Sequence, residues 1–494
     1  MIKINEIIIL LFFCICGFSL FAFPNGKINE TRVVKSNPSS VFVEKEAKSL
    51  AVLQQEFLDL RFGMFICLNM STFSGDDWAD PNLSPEIFNP VKLDCNQWAE
   101  AAVTAGMTYG CLTTKHADGF CIWPTQTTDH AVRKNPYQRD VVREYVDAFR
   151  KKGLKVFLYY SILDMNQNIR PGWIKKEHTQ FIKEQLSELL TNYGEIDGLL
   201  FDSWDAGWSR ISYEDISFEE IYSHIKSLQP NCLVSEHNSG KYPQEGLFYA
   251  DIKHYEQNAG QRISKETNQL PAQAGIPINS TWFWKETSPA ETVKNARYIV
   301  EDNLIPLNNA HCNFILSMAP NRNGLIDANA IDELKEIGKL WKNPGKAPKL
   351  TNFKYPIICS NLAKKQKMNS SWSSDMNISD FANDDNFYSA WVPSPQVKQP
   401  YLEIIFNKET TFDTIGIVEQ SSGKSGENSI TKMDSYNLQY WDGKGWENIQ
   451  ITGCNDLIRF HRFNKVRSLK IRLQINKYNV GLAIAELLVY NEKH

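Results

Sequence analysis

Short apolar runs alternate with longer amphipathic stretches through residues 55–345 of the chain. The runs are rich in β-branched and aromatic residues, as is typical of buried parallel strands. We predict strands at Phe62–Cys67, Tyr109–Thr114, Val156–Tyr160, Gly198–Phe201, Cys232–Val234 and Phe314–Met318. The amphipathic stretches predict helices at Cys95–Ala105, Val141–Lys152, Lys175–Asn192, Phe218–Leu228 and Ile331–Trp341. Repeated strand–helix units favour an α/β fold of the (β/α)8-like TIM barrel type over 55–343, and an open doubly wound sheet is the alternative.

The pattern changes after Pro344, Gly345 and Pro348, which mark a linker at 344–350. Residues 351–494 carry short alternating segments separated by turn residues, and 442–445 (Asp-Gly-Lys-Gly) is the clearest hairpin. The strand candidates there are Tyr401–Phe406, Thr414–Val418, Tyr436–Tyr440 and Leu469–Leu473. This pattern predicts a second domain, an all-β antiparallel sandwich.

The first 22 residues have the pattern of an export signal. Lys3 precedes an apolar run from Ile7 to Phe21, and cleavage after Ala22 would leave a lead-in at 23–54. The run is too short for a membrane span. We therefore expect an exported protein without a membrane span; lipidation at Cys14 or Cys16 is the less favoured alternative.

Composition narrows the functional classes only slightly. The net charge of -4 gives no electrostatic footprint for nucleic acid. The 13 tryptophans and 12% aromatic residues suit sugar binding, but large aromatic cores explain them equally well. The chain has no C-x-x-C pair that would indicate a zinc site. Whether Cys111 and Cys121 form a disulfide stays open.

One carboxylate stands out by its position. Asp202 directly follows the apolar run Gly198–Phe201, and active sites of β/α barrels lie at the carboxyl ends of the strands. There it could attack an anomeric carbon while a second carboxyl group protonates the leaving oxygen. The alternative is that Asp202 only caps the next helix.

Several segments resemble family 29 glycoside hydrolases, the α-L-fucosidases. The similar segments are 61–67 (Arg-Phe-Gly-Met-Phe-Ile-Cys), Asp77-Trp78, 112–120 (Leu-Thr-Thr-Lys-His-Ala-Asp-Gly-Phe), Arg139-Asp140, 153–161, 196–202 (Ile-Asp-Gly-Leu-Leu-Phe-Asp) and 313–338. The likeness runs from about residue 55 to 343. It implies an exo-acting, retaining enzyme with Asp202 as nucleophile and no cofactor in catalysis. It also implies sugar contacts from Asp77, Trp78, His116 and Trp282.

The chain departs from this family at sugar-binding positions. The first strand ends in Cys67-Leu68-Asn69 where the family has His-Trp-Gly, and Ala117 replaces the second histidine of a pair. Glu236 and His237 stand near the place of an expected arginine, so we assign both to substrate binding. Unpaired sugar hydroxyls would cost about 1–3 kcal/mol each, which makes specificity for plain fucose an open question.

In the family that the chain resembles, the acid/base residue comes from a variable loop. One position that the family uses falls on Gln273, which cannot supply a proton. The other falls on Glu256 at the end of 251–256 (Asp-Ile-Lys-His-Tyr-Glu), which we predict as the acid/base with Glu236 as second choice. The alternative for Glu256 is a solvated loop carboxylate.

The C-terminal domain resembles the discoidin, or coagulation factor type C, domain. The likeness rests on 370–372 (Ser-Ser-Trp), 381–391 and 484–487 (Ile-Ala-Glu-Leu). It implies a jelly roll that could hold a structural Ca²⁺ through Asp384, Asp385 and Glu486. A stabilising domain without any ligand is the alternative.

Three functions follow from these observations. The first is hydrolysis of terminal α-L-fucosyl or fucose-like units of an oligosaccharide or polysaccharide. The second keeps the chemistry but acts on a related sugar such as L-galactose, and the third is a catalytically silent carbohydrate-binding protein. The sequence does not determine the glycan or the oligomeric state.

Overall fold

The computed structural model describes residues 47–206, 211–237, 249–256, 268, 270–350, 360–374, 376–386, 389–420, 431–451 and 458–492. The predicted signal and most of the predicted lead-in lie outside these residues.

Eight parallel strands close into a barrel in chain order, with β1 paired to both β2 and β8. The strands are β1 Phe62–Ile66, β2 Tyr109–Lys115, β3 Lys155–Ser161, β4 Gly198–Asp202, β5 Leu233–Glu236, β6 Ile252–Glu256, β7 Ala272–Pro277 and β8 Cys312–Met318. The helices are α1 Leu50–Leu60, α2 Met70–Ser74, α3 Cys95–Thr104, α4 Val141–Lys151, α5 Lys176–Asn192, α6 Phe218–Leu228, α7 Ala296–Ile299, α8 Ile305–Asn309 and α9 Ala328–Leu340. A π-helical turn at Val300–Leu304 joins α7 to α8. The predicted α/β barrel is confirmed, and the open sheet is not formed.

Local sequence signals place the helix ends. Asp94, Asp140 and Ser217 cap α3, α4 and α6 by accepting hydrogen bonds from backbone N–H groups of the first turn. Gly106 and Gly153 follow α3 and α4 with φ of 78° and 73°, a region that favours glycine. The bounds of the five predicted helices, which are α3, α4, α5, α6 and α9, differ from the predicted ones by only a few residues.

Helix α1 packs under the amino end of the barrel and begins inside the predicted lead-in. The Phe57 ring contacts the rings of Tyr109 and Phe157, with centroids 6.1 and 5.7 Å apart. The backbone carbonyl of Phe57 accepts a hydrogen bond from the Asn313 side chain at 2.8 Å. The folded domain therefore extends to Leu50 at least, because α1 covers apolar side chains that would otherwise meet water.

Strands β6 and β7 were not found from the hydrophobic pattern. They carry the buried polar residues Lys253, His254 and Gln273, which break the apolar run expected of a barrel strand. Tertiary hydrogen bonds satisfy such side chains, and a pattern of apolar residues cannot reveal them.

The C-terminal domain is an antiparallel sheet of β9 Lys367–Ser370, β10 Tyr401–Glu419, β11 Met433–Trp441, β12 Trp446–Asn448, β13 Ile458–Tyr478 and β14 Ile484–Tyr490. The strand order is β12-β11-β13-β10-β14, with β9 paired to β10. The predicted strands at Tyr401–Phe406 and Thr414–Val418 are one strand, β10, interrupted by register shifts against β13. The hairpin at 442–445 joins β11 to β12, and the Asp442 carboxylate accepts hydrogen bonds from the N–H groups of Lys444 and Gly445.

The β domain contacts the barrel domain through both apolar and charged groups. Val418, Leu488 and Tyr490 join the apolar core that surrounds the barrel. The Lys364 ammonium donates to the Ser212 hydroxyl at 2.7 Å and pairs with Glu214 at 3.1 Å, both in the segment after β4. Among the described residues, no helix has the length and apolar character needed to cross a bilayer.

Candidate active site

A cavity of about 240 Å³ opens at the carboxyl end of the barrel. Its volume is below the ~300–1,000 Å³ of pockets for drug-sized ligands, so it suits a small ligand such as one sugar unit. Its lining mixes aromatic, thiol, hydroxyl, imidazole and carboxyl groups. The lining residues are Phe65, Cys67, Asp77, Trp78, Thr113, His116, Tyr159, Asp202, His237, Glu256, Trp282 and Phe283.

Strand alternation explains why these side chains meet. Successive side chains of a strand point to opposite faces, so residues two apart share the barrel interior. On β3, Phe157 packs in the inner core and Tyr159, two residues nearer the carboxyl end, lines the cavity. On β4, Leu200 and Asp202 are arranged in the same way. The cavity is therefore the topmost layer of the barrel interior.

Asp202 ends β4 at the wall of the cavity and is half-buried. One carboxylate oxygen accepts a hydrogen bond from the Tyr159 hydroxyl, and the other accepts one from the Ser203 N–H at 2.5 Å. Burial, with the Asp202 charge as the next cause, raises the pKa of Tyr159 well above its ordinary value. Tyr159 therefore stays a neutral donor that fixes the orientation of the Asp202 carboxylate.

Glu256 ends β6 and reaches the same cavity. The Nδ1 atom of His237 lies 3.8 Å from its carboxylate oxygen. Burial opposes a charge on His237, but the carboxylates of Asp202 and Glu256 outweigh it, and the net pKa of His237 is raised. An imidazolium between two carboxylates lowers their mutual repulsion.

This arrangement predicts a pH-dependent stability. The pKa of His237 is higher in the folded chain than its ordinary value of about 6.5. Protonated His237 therefore stabilises the fold fully below about pH 6.5, and this stabilisation is lost as the pH rises through the raised pKa. The free energy of unfolding of the wild type should exceed that of His237→Asn most at low pH, and the gap should narrow with rising pH. Denaturant titrations of both proteins at several pH values measure this, and a gap that widens toward alkaline pH contradicts the assignment.

Aromatic side chains form the wall around His116. Its ring stacks on Tyr159 at 6.1 Å and 19° and meets the Phe283 ring edge-on at 5.0 Å. Trp78 contacts His116 at 5.8 Å and is 50% exposed, so it stands at the rim. Asp118 lies behind His116, with 4.0 Å between the Asp118 carboxylate and Nδ1.

Asp77 and Trp282 each contact a neighbouring side chain. The Asp77 carboxylate forms an ion pair with Lys285 at 2.8 Å. Trp282 packs edge-on against Phe65 at 6.0 Å. Both residues line the cavity, and their contact with a sugar stays a prediction.

Glu236 does not line this cavity, although it was predicted as a sugar contact and as second choice for the acid/base. It alternates with His237, so its side chain points out of the barrel, where the Tyr213 hydroxyl donates to its buried carboxyl group. Burial raises the pKa of Glu236 well above its ordinary value. The structure therefore supports Glu256, not Glu236, as the second carboxyl group of the site.

The positions that depart from the family lie in two different environments. Cys67 lines the cavity with a buried thiol 3.2 Å from the Ser317 hydroxyl, and burial raises its pKa to about 12. It is therefore a neutral thiol at physiological pH. Ala117 is buried in the apolar core and is not part of the cavity lining.

A hydrogen-bonded chain fills the barrel below the cavity. His254 bonds to the Gln273 side-chain oxygen at 2.7 Å, the Gln273 amide donates to the Tyr109 hydroxyl at 2.8 Å, and that hydroxyl donates to Asn313 at 2.8 Å. The ring of His254 lies 4.2 Å from that of His237. Gln273, predicted as an inactive acid/base position, is thus a buried link beneath the site.

Sequence reasoning missed Tyr159, Phe65, Thr113 and Phe283 as lining residues. For the first three the signal was available, because each occupies an inward position near the end of its strand. Phe283 follows β7 in a loop, and only the tertiary structure brings it beside His116.

The three residues predicted to hold Ca²⁺ divide into two groups. The Asn386 N–H donates to the carboxylates of Asp384 at 2.9 Å and Glu486 at 3.0 Å. Asp385 instead pairs with the Lys364 ammonium at 3.1 Å. Across the described ranges, no group of three or more His, Cys, Asp or Glu side chains could hold a metal ion.

A closed β/α barrel whose strand ends bring two carboxyl groups to one small, aromatic-walled cavity has the parts that a glycoside hydrolase requires. The model of the family described as alpha-L-fucosidase matches residues 69–346, more than half of the chain. The chain belongs to the alpha-L-fucosidase family, which confirms the resemblance seen in the sequence.

Relatives agree with this assignment. Alpha-L-fucosidase 1 of Arabidopsis thaliana is 26% identical over 93% of this chain and 91% of its own length. Tissue alpha-L-fucosidase of Mus musculus is 25% identical, but the match covers only 56% of this chain and 59% of that protein.

Solved structures share the fold. The putative alpha-L-fucosidase from Bacteroides thetaiotaomicron superposes with a TM-score of 0.51 at 22% identity, covering 90% of this chain and 98% of that one. A Ruminococcus gnavus family 29 fucosidase variant, solved in complex with fucose, gives 0.50 at 19% identity, covering 91% and 96%.

Proposed function

We propose that this chain hydrolyses terminal α-L-fucosyl residues of glycans with retention of configuration, using Asp202 as nucleophile and Glu256 as acid/base. The observation that carries the proposal is that both carboxyl groups line one small cavity and both charges act on His237. Membership of the alpha-L-fucosidase family supports fucose as the sugar.

Two displacements complete the reaction. In the first, an Asp202 oxygen bonds to the anomeric carbon as the bond to the leaving oxygen breaks, and Glu256 gives that oxygen its proton. In the second, Glu256 takes a proton from water, the water oxygen bonds to the anomeric carbon, and the Asp202 carboxylate is released. The enzyme returns to its starting state with one water consumed.

The remaining lining groups orient the sugar and the nucleophile. Tyr159 and the Ser203 N–H hold the Asp202 carboxylate in one orientation, so that little reorganisation precedes attack. Trp78, Trp282 and Phe283 offer aromatic faces for the C–H groups of the ring. His116 and His237 supply polar atoms for its hydroxyls.

Tyr159→Phe should lower kcat/KM on an aryl α-L-fucoside by about 10- to 100-fold. A hydrogen bond to a charged group contributes ~1.5–3 kcal/mol, and this one orients the nucleophile. Tyr160→Phe is the matched control, because its hydroxyl bonds to Lys115 and Gln185 outside the cavity. Steady-state kinetics of both variants decide the point, and equal losses would show that Tyr159 has no specific role.

Cys67 places a neutral thiol in the lining where the resemblance expects a histidine that contacts the sugar. This change favours a second candidate, the hydrolysis of a sugar of fucose-like configuration such as L-galactose. A panel of aryl α-L-fucoside, α-L-galactoside and other glycosides separates the two. Cleavage of the fucoside with initial release of α-fucose, followed by NMR, supports the proposal. Cleavage of another glycoside without the fucoside selects the second candidate, and binding without turnover selects a silent binding protein.

Three further points rest on the sequence. The pattern of residues 1–22 supports export, and the segments around Trp372 and Glu486 support a discoidin-like domain. Structural Ca²⁺ at Asp384, Asp385 and Glu486 stays a prediction.

A further inference from the structure

The segment that follows the proposed nucleophile has a strained backbone. Ser203 and Asp205 have φ of 61° and 47°, a region that residues other than glycine rarely adopt. Ser203 is also the residue whose N–H holds the Asp202 carboxylate. Because such a conformation costs free energy, it persists only where the surrounding structure holds it in place.

Trp204, between these two residues, anchors the segment. Its side chain is buried, and its indole N–H donates to the Ile216 carbonyl at 2.9 Å. The Trp204 ring meets the Tyr213 ring edge-on, with centroids 5.4 Å apart. The Asp205 N–H donates to the Ile211 carbonyl at 2.6 Å. The backbone after the nucleophile is therefore held by residues that precede α6.

The Tyr213 side chain is fixed at both ends. Its ring packs on Trp204, and its hydroxyl donates to the buried carboxyl group of Glu236 at the end of β5. In a close-packed interior, a side chain held in this way cannot move without disturbing its neighbours. The position of the backbone at Tyr213 therefore decides where Trp204 and the residues beside Asp202 lie.

The β domain contacts this segment next to Tyr213. The Lys364 ammonium donates to the Ser212 hydroxyl at 2.7 Å and pairs with Glu214 at 3.1 Å. Within the β domain, the same ammonium pairs with Asp385 at 3.1 Å. We call these three bonds the Lys364 contact. Ser212 is buried and the Lys364 side chain is only 15% exposed, so solvent screens this contact less than a surface ion pair.

We propose that the β domain holds the nucleophile in its reactive orientation through the Lys364 contact, which makes Lys364 a positioning residue. The inference rests on the proposed function, because it takes Asp202 as the nucleophile. Lys364 holds Ser212, which immediately precedes Tyr213. Tyr213 packs on Trp204, and Trp204 keeps the backbone beside Asp202 in place. The β domain thus contributes to turnover, although the described residues that line the cavity all belong to the barrel domain.

The test uses Lys364→Met in the full-length chain, which keeps most of the side-chain volume and removes the Lys364 contact. The kcat on an aryl α-L-fucoside should fall about tenfold, because the Asp202 carboxylate is no longer held in one orientation. The inhibition constant of L-fucose should stay within about twofold of the wild-type value, because Trp78, His116 and Trp282 follow other strands.

Two further variants separate positioning from stability. Lys364→Arg keeps the charge and the donors and should restore most of the wild-type kcat. Arg472→Met is the matched control, because Arg472 is 23% exposed and pairs with Glu403 at 2.6 Å inside the β domain. It should leave kcat near the wild-type value even where it lowers the melting temperature.

Glu214→Gln is a milder variant that serves if Lys364→Met does not fold. Glu214 is the more exposed partner of the Lys364 contact, at 35%, so its replacement leaves the core unchanged. The kcat should fall about threefold, again with L-fucose inhibition unchanged, because only one of the three bonds is weakened.

Hydrogen exchange followed by mass spectrometry gives a readout that does not depend on activity. If the Lys364 contact holds the segment after β4, backbone amides near Ser203 and Tyr213 open more often without it. Peptides that contain these two residues should therefore exchange faster in Lys364→Met than in the wild type. In Arg472→Met they should exchange at the wild-type rate.

The outcomes are distinct. A lower kcat with unchanged L-fucose inhibition in Lys364→Met, but not in Arg472→Met, supports the proposal. A wild-type kcat in a folded Lys364→Met, or equal losses in both variants, overturns it while the proposed function stands. If the wild type does not cleave the fucoside, the proposed function fails. Exchange then decides on the Lys364 contact alone, and unchanged rates in Lys364→Met overturn it.

Discussion

Asp202→Ala is expected to lower kcat on an aryl α-L-fucoside by about four orders of magnitude while the fold is retained. The variant lacks the atom that must bond to the anomeric carbon, and no other described carboxylate receives the Tyr159 hydroxyl bond. The half-buried carboxylate sits at the top of β4 beside an open cavity, so its removal leaves the barrel core unchanged. Stopped assays at high enzyme concentration measure the residual rate, and circular dichroism checks the fold.

The matched control for this variant is Asp197→Asn, just before the opposite end of the same strand. Asp197 accepts a hydrogen bond from the Val156 N–H at 2.8 Å and pairs with Lys155 at 2.7 Å. Its loss should reduce the free energy of unfolding by about 1 kcal/mol and leave kcat near the wild-type value. Full activity of Asp202→Ala, or equal inactivation of both variants, would end the assignment of Asp202 as nucleophile.

Glu256→Gln is expected to lower kcat by about 10²- to 10⁴-fold on substrates with poor leaving groups. A sugar leaving oxygen needs a proton as its bond breaks, whereas an activated nitrophenolate leaves without one. The loss should therefore be much smaller for formation of the glycosyl-enzyme from a nitrophenyl fucoside. Rates on aryl fucosides with good and with poor leaving groups measure this difference.

Glu236→Gln provides the comparison for Glu256→Gln. The pKa of Glu236 is raised well above its ordinary value by burial, so its neutral form is favoured and a neutral amide of the same size replaces it with little change. Activity should persist on good and on poor leaving groups alike. If Glu236→Gln loses activity selectively on poor leaving groups and Glu256→Gln does not, the acid/base assignment moves to Glu236.

Some features of the site could be read from single strands. Asp202 follows an apolar run, and the carboxyl end of a barrel strand is where chemistry lies. Glu236 and His237 show the limit of that reasoning, because they are neighbours at the end of the same short strand. Only the alternation of inner and outer positions, anchored by the inward Leu233, sends His237 into the cavity and Glu236 to Tyr213.

The sequence by itself determined the class of fold, the approximate bounds of five helices and the position of the proposed nucleophile, because apolar periodicity acts over a few neighbouring residues. Tertiary structure decided the rest: the two polar strands β6 and β7, the packing of α1 under the barrel, and the meeting of Tyr159, Phe283 and Glu256 around Asp202. Those features depend on contacts between residues far apart in the chain. Closing a barrel satisfies buried polar groups such as His254 and Gln273 with distant partners, and no local pattern encodes that pairing.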